Sequence, residues 1–381
     1  MAYQQMSTAK RALYLDQIKA IIVAFVIAIH VPIAFGGIGW SGVRIPVEES
    51  ISSFTIGFFR WYSYALNSFI MYMMFLISGY FVPRSVHKKG VLRYLKGRLL
   101  RLGIPFLTGL LLLNNASKLL GMLTPSSPLA GLPWNEIPFN RVGVLWFLVV
   151  LFAFDLLYCA WVALRGDRFA VDTSVPSPRL RSWLVSAISL GILEALMMSQ
   201  TDIWATLGRS VFDGIGAQGM HIFTYLFLFV LGCKASFHRW FERLDAHLVV
   251  KWFRLSMFLI LASLAFFLSS AFNPSLVNDS AIVAPLMCFL YPFIAWGILS
   301  YLLLWFQRNE ERLGPWLATA GVNSYGAYIL HTLVLVLVLM PIGFTGLNPW
   351  IIVISATVLT TVVSFGVAGQ LRRVPLIARL I

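Results

Sequence analysis

The sequence predicts an all-α integral membrane protein, a bundle of about ten transmembrane helices with both termini cytoplasmic. Three observations predict it. Of 381 residues, 59% are hydrophobic and only 12% charged, against roughly 45–50% and 25% in ordinary soluble domains. Ten stretches are apolar and almost free of charge, each near the roughly 20 residues that cross a bilayer as a helix. The basic residues fall almost wholly on one side when the stretches are counted alternately. A soluble globular enzyme is excluded.

The predicted spans are 18–38, 64–83, 102–121, 143–164, 183–199, 217–234, 252–271, 281–305, 316–340 and 349–370. The first follows Lys10 and Arg11, as a signal peptide would, but it runs past a usual signal core without a small-residue cleavage site and reads as a retained helix. The second and third flank the basic segment Arg84 to Arg101, and the fourth and fifth flank Arg165 to Arg181. The sixth and seventh flank Lys234 to Arg254, and the eighth and ninth flank Arg308 and Arg312. The tenth precedes Arg372, Arg373 and Arg379. With the N-terminus inside, 24 of the 29 Lys and Arg residues lie inside and 5 outside: Arg44, Arg60, Lys118, Arg141 and Arg209. A net charge of +14 would suggest nucleic acid in a soluble protein. Here it is the expected excess of the cytoplasmic loops and of contact with anionic lipid, so no nucleic-acid partner is expected.

The longest outer connections, 39–63 and 122–142, are too short to fold as domains, and residues 1–381 read as one membrane domain. Cys159, Cys233 and Cys288 lie in apolar runs without metal-ligand spacing and read as packing residues. No metal site is expected. Trp134, Trp146 and Trp350 near outer span ends read as interface anchors, and His221 as an interfacial residue.

Any chemistry then belongs to ionisable residues inside the spans, each a functional candidate because of its cost in hydrocarbon. Lys19 and His30 are eleven residues apart, which places them about 16 Å apart along a helix and about 20° apart around it. Lys19 lies at the cytoplasmic end and His30 beyond the midplane, a stripe suited to a ligand that enters from the cytoplasm and reacts partway across. The same positions suit a snorkelling lysine and a histidine bonded to a neighbouring helix. Arg98 and Arg101 share a helix face at the mouth of span three, where two guanidiniums can clamp a phosphate. Ser78 and Gly79, in Phe75-Leu76-Ile77-Ser78-Gly79-Tyr80-Phe81, permit close approach either of a ligand or of another helix.

Taken in order, these segments resemble the acyltransferase 3 family of integral membrane acyltransferases. The matching pieces are Asp16 and Lys19 with Lys19-x10-His30, Phe75 to Tyr80, Arg98-x-x-Arg101 with Pro105-Phe106, Leu145-Trp146-Phe147-Leu148, and Ser324-Tyr325-Gly326-Ala327-Tyr328-Ile329-Leu330-His331. With no appended soluble hydrolase-like domain, the chain looks most like the branch that includes periplasmic glucan succinyltransferases. The family's first-span cation is usually Arg; here Lys19 keeps the charge without the bidentate fork.

The resemblance implies an O-acyltransferase of the bacterial inner membrane. It would move an acetyl- or succinyl-like group from cytoplasmic acyl-CoA, a cosubstrate and not a resident cofactor, to a hydroxyl of an extracytoplasmic glycan or similar acceptor. Lys19, Arg98, Arg101, Ser78 and Gly79 would then hold the donor, with His30 as general base and His331, at similar depth, as a second site residue. Asp155 in span four and Glu194 in span five are candidates to orient His30, or to serve as salt-bridged structural carboxylates. A secondary transporter or flippase is the competing reading, since midplane polar residues in a ten-span bundle suit it as well. Neither an internal repeat nor matched broken helices support it.

Overall fold

The computed structural model describes residues 12–35, 43–45, 52–125, 127–139, 141–167, 169–199, 221–273 and 280–381. Among the described residues eleven long helices form the bundle: α1 (Leu13–Ile33), α2 (Ser53–Asn67), α3 (Ile70–Lys89), α4 (Val91–Gly121), α5 (Trp146–Arg165), α6 (Leu180–Ser199), α7 (Ile222–His238), α8 (Ala246–Phe272), α9 (Ser280–Arg308), α10 (Gly314–Ile342) and α11 (Pro349–Leu371). Among the described residues nine helical stretches are long and apolar enough to cross a membrane, with α2 and α3 counted as one, and α7 is a shorter apolar helix of 17 residues. These overlap the ten expected spans, of which 36–38 and 217–220 lie outside the described residues. The chain is a multi-pass membrane bundle.

Three local expectations are corrected. The second span is not one helix over 64–83, because the chain breaks at Ser68–Phe69. Ser68 turns its hydroxyl onto the Ala65 carbonyl, and Phe69 leaves helical geometry to pack edge-on against Phe25 of α1. Residues 53–63, expected as an outer loop, are helical in α2 and anchored by the Trp61 indole N–H on the Ile260 carbonyl. The basic segment 84–101 is likewise not an open loop. It is a helical corner between α3 and α4 that turns at Gly90, whose φ of +75° lies in the region that favours glycine.

Two close helix crossings organise the core. A methyl group at Gly79 of α3 would overlap the Phe229 carbonyl of α7, and one at Gly232 of α7 would overlap the Leu76 carbonyl of α3. The contact is reciprocal, as small-residue packing in membranes requires where no hydrophobic force draws helices together. On the other side of the core, Gly321 of α10 lies against the Asp16 carbonyl of α1. The same two helices meet again at His30 and His331, whose ring centroids are 5.1 Å apart. Both contacts occur in the same chain order, so α1 and α10 run parallel.

α4 contains two π-helical turns, Leu99–Gly103 and Gly109–Leu113, around Pro105. Proline has no N–H for the carbonyl four residues back, here Arg101. The helix widens there, and the Tyr325 hydroxyl of α10 donates to that carbonyl instead.

Candidate functional site

The α1–α10 pair carries polar residues at two depths. At the depth of His30, each imidazole donates Nδ1–H to a carbonyl of its own helix, His30 to Val26 at 2.5 Å and His331 to Tyr328 at 2.5 Å. A carbonyl can only accept, so the hydrogen belongs to Nδ1, and a neutral ring keeps its lone pair on Nε2. His331 is fully buried, with Nε2 lacking a hydrogen-bond partner among the described residues. His30 is half-buried and tilted 46° to the His331 ring. Tyr328 fixes this pair to a third helix. Its hydroxyl donates to the Val144 carbonyl, and its ring packs edge-on against Phe147, so the segments 145–148 and 324–331 are built together.

At the other depth, Lys19 pairs with Asp16 at 2.6 Å and lies 5.6 Å from the centroid of the Phe81 ring. Arg98 donates Nε–H to Asp155 Oδ2 at 2.5 Å, and the Tyr94 hydroxyl donates to Oδ1 at 2.7 Å. Asp155 is wholly buried, and this pairing supplies the partners a carboxylate in hydrocarbon needs. The fork of Arg98, Nη1 and Nη2, has no hydrogen bond among the described residues. The Arg101 side chain is exposed. Gly79 is occupied by helix packing, whereas Ser78 is half-buried. Tyr80 closes its motif by donating to Glu242 at 2.7 Å and stacking on Phe241 at 4.5 Å.

The two carboxylates weighed as orienting groups for His30 have other partners. Asp155 holds Arg98. Glu194 of α6 receives the hydroxyls of Tyr72 and Thr224, and its Oε2 lies 3.0 Å from His221 Nδ1. His221 is therefore not interfacial; it is 2% exposed, in a buried cluster with Glu194. Trp146 is not an interface anchor either, being 7% exposed and stacked on Tyr225 at 5.4 Å. Trp134 is 70% exposed. Trp350 packs on Phe58 at 4.8 Å. The three cysteines are buried and form no disulfide among the described residues. Among the described residues no three His, Cys, Asp or Glu side chains converge as a metal donor set.

Sequence reasoning missed Tyr94, Tyr72 and Thr224. Tyr94 and Arg98 stand four residues apart on one helix face, which was a readable signal. Tyr72 and Thr224 meet Glu194 across helix interfaces that no spacing reveals.

The family model for the acyltransferase 3 domain matches residues 12–369. The chain belongs to the acyltransferase 3 family. It is similar to glucans biosynthesis protein C of Salmonella heidelberg, 27% identical over 248 residues covering 60% of this chain and 59% of that protein. It is also similar to the Escherichia coli K12 protein of the same name, 26% identical over 237 residues covering 60% and 58%. The chain thus spans somewhat under two thirds of the length of these relatives.

Proposed function

We propose that this acyltransferase 3 protein is a membrane O-acyltransferase that moves an acyl group, acetyl- or succinyl-like, from cytoplasmic acyl-CoA to a hydroxyl of an extracytoplasmic glycan. One observation carries the proposal. The parallel α1–α10 pair brings His30 and His331 side by side at one depth, and at the other it carries Lys19 and sits against the corner that carries Arg98 and Arg101. The family supplies the reaction class, and the relatives' name, glucans biosynthesis, supplies the glycan as acceptor.

The donor phosphates engage the Nη1 and Nη2 fork of Arg98 and the exposed Arg101, with Lys19 as a further cation. The pantetheine arm runs along α1, so the thioester reaches His30 about 16 Å away. The acceptor oxygen attacks the thioester carbonyl as its proton passes to Nε2 of His30. The tetrahedral intermediate collapses, the C–S bond breaks, and CoA thiolate leaves and takes up a proton, giving ester and CoA. His30 Nδ1–H, held on the Val26 carbonyl, fixes the tautomer that leaves Nε2 basic. His331, whose ring centroid lies 5.1 Å away, carries a second Nε2 lone pair beside it.

Purified protein given labelled acyl-CoA and a β-glucan tests the reading. Ester formation with stoichiometric CoA release is expected, and His30→Gln abolishes it. Glycan uptake into proteoliposomes without acylation would overturn the reading in favour of transport.

A further inference from the structure

A cavity of about 490 Å³ opens at the basic end of the bundle, among α6, α7, α8 and α9, within the roughly 300–1,000 Å³ of small-molecule sites. None of Lys19, His30, Arg98, Arg101 or His331 lines it. Its walls are chiefly apolar, including Leu231, Trp183 and Trp296, while Lys234 and Arg179 contribute two exposed cations. Neither cation has an ion-pair or side-chain hydrogen-bond partner among the described residues. The acidic residue in the lining, Asp245, is already used: it accepts the N–H groups of His247 and Leu248 and caps α8. The site therefore has a net positive polar edge and an apolar interior.

A second observation points to an occupant. The indole Nε1 of Trp240, which also lines the cavity, is buried with no hydrogen-bond acceptor among the described residues. A buried indole N–H normally has one. The wall that the segment before α6 supplies is preformed. Asp172 N–H bonds the Phe237 carbonyl, His238 Nδ1 bonds the Asp172 carbonyl, Arg243 bonds the Thr173 carbonyl, and Trp183 bonds the Pro178 carbonyl. The first three contacts strap the segment before α6 across the end of α7 and the turn that follows it, and the fourth ties that segment to α6.

We propose that this cavity binds one anionic glycerophospholipid of the cytoplasmic leaflet, its acyl chain between α6, α7 and α9 and its phosphate at Lys234 and Arg179. The phosphate or ester oxygens supply the acceptor that Trp240 lacks. Basic pockets between transmembrane helices on the cytoplasmic side recognise anionic headgroups in this way. The distribution of basic residues assigns this end of the bundle to that leaflet. The site is independent of the acyl-transfer reading, because no residue of that reading takes part.

The full-length protein in phosphatidylcholine nanodiscs doped with phosphatidylglycerol carrying brominated acyl chains provides the test, since bromine quenches tryptophan at contact and Trp183, Trp240 and Trp296 stand in the wall. Brominated phosphatidylglycerol is expected to quench at lower mole fraction than brominated phosphatidylcholine. Lys234→Ala and Arg179→Ala should each raise the midpoint about fivefold, and both residues are exposed, so the fold tolerates the changes. Trp240→Phe, which keeps the ring and removes the N–H, should weaken the preference as well. Equal quenching by the two lipids, or a preference untouched by the Lys234 and Arg179 variants, would overturn the proposal. Relief of quenching by stoichiometric acyl-CoA would also overturn it, by assigning the cavity to the donor.

Discussion

The Tyr325 hydroxyl donates to the main-chain carbonyl of Arg101. The acceptor is available because Pro105, four residues on, has no N–H to offer it, and the link ties the corner bearing the two arginines to the helix bearing His331. Tyr325→Phe should destabilise the protein by about 0.5–1.5 kcal/mol, the net value of one such bond. In a Pro105→Ala background, where an alanine N–H meets the same carbonyl, the penalty should shrink toward zero. Thermal unfolding of the four proteins in detergent checks this, and an undiminished penalty in the double variant would break the link between the proline and the tyrosine.

Arg98 and Arg101 should respond differently to truncation. Arg101→Ala removes an exposed cation and should weaken acyl-CoA binding by about 1.5–3 kcal/mol with little change in stability. Arg98→Ala also strands the buried Asp155, and losing one member of a buried pair costs about 3–5 kcal/mol. Arg98→Ala with Asp155→Asn should recover most of that stability and none of the donor affinity. Titration of acyl-CoA beside thermal unfolding separates the two effects.

His30→Gln should abolish acyl transfer while leaving donor affinity within about twofold, because Lys19 lies about 16 Å away along the same helix and Arg98 and Arg101 stand on α4. His331→Gln should lower the rate at unchanged donor affinity, since its ring stands beside His30 and not beside Arg98. Turnover and binding measured on the same preparations decide it. Near-normal turnover in His30→Gln would move the base to His331.

Glu194→Ala should cost about 3–5 kcal/mol by leaving His221, Tyr72 and Thr224 around an empty position. Glu194→Gln, which preserves the shape and acceptor oxygen, should cost less. The ordering of unfolding midpoints tests it, and equal midpoints for Glu194→Ala and the unchanged protein would remove the cluster from the stabilising core.

Cysteine introduced at Glu136 or Thr345, both exposed, should label from outside the cell, whereas cysteine at Lys89 should not. The 24-to-5 division of basic residues sets this expectation. The reverse pattern would invert every depth assigned above.

The sequence carried the helices and the positions of polar residues along them, because both depend on local hydropathy and a fixed rise per residue. Lys19 and His30 fall on one helix at a spacing anyone can count. Partnership across helices is another matter. Asp155 reaches Arg98 over 57 residues, and nothing in its neighbourhood in span four distinguished that partner from His30. His221 and Trp146 both stand near span ends, where hydropathy suggests an interface. Their burial follows from which way each helix turns, and that is set by Glu194 and Tyr225 on other segments.

The crossing of Gly321 over the Asp16 carbonyl works as the pivot of a pair of shears. His331 sits on its blade about 15 Å beyond that point, and the gap between the two imidazoles is fixed by how tightly the pivot closes. A single methyl group there would touch neither histidine, yet it would part the blades. Gly321 thus governs the spacing of His30 and His331 from a distance, through the fulcrum that both helices share.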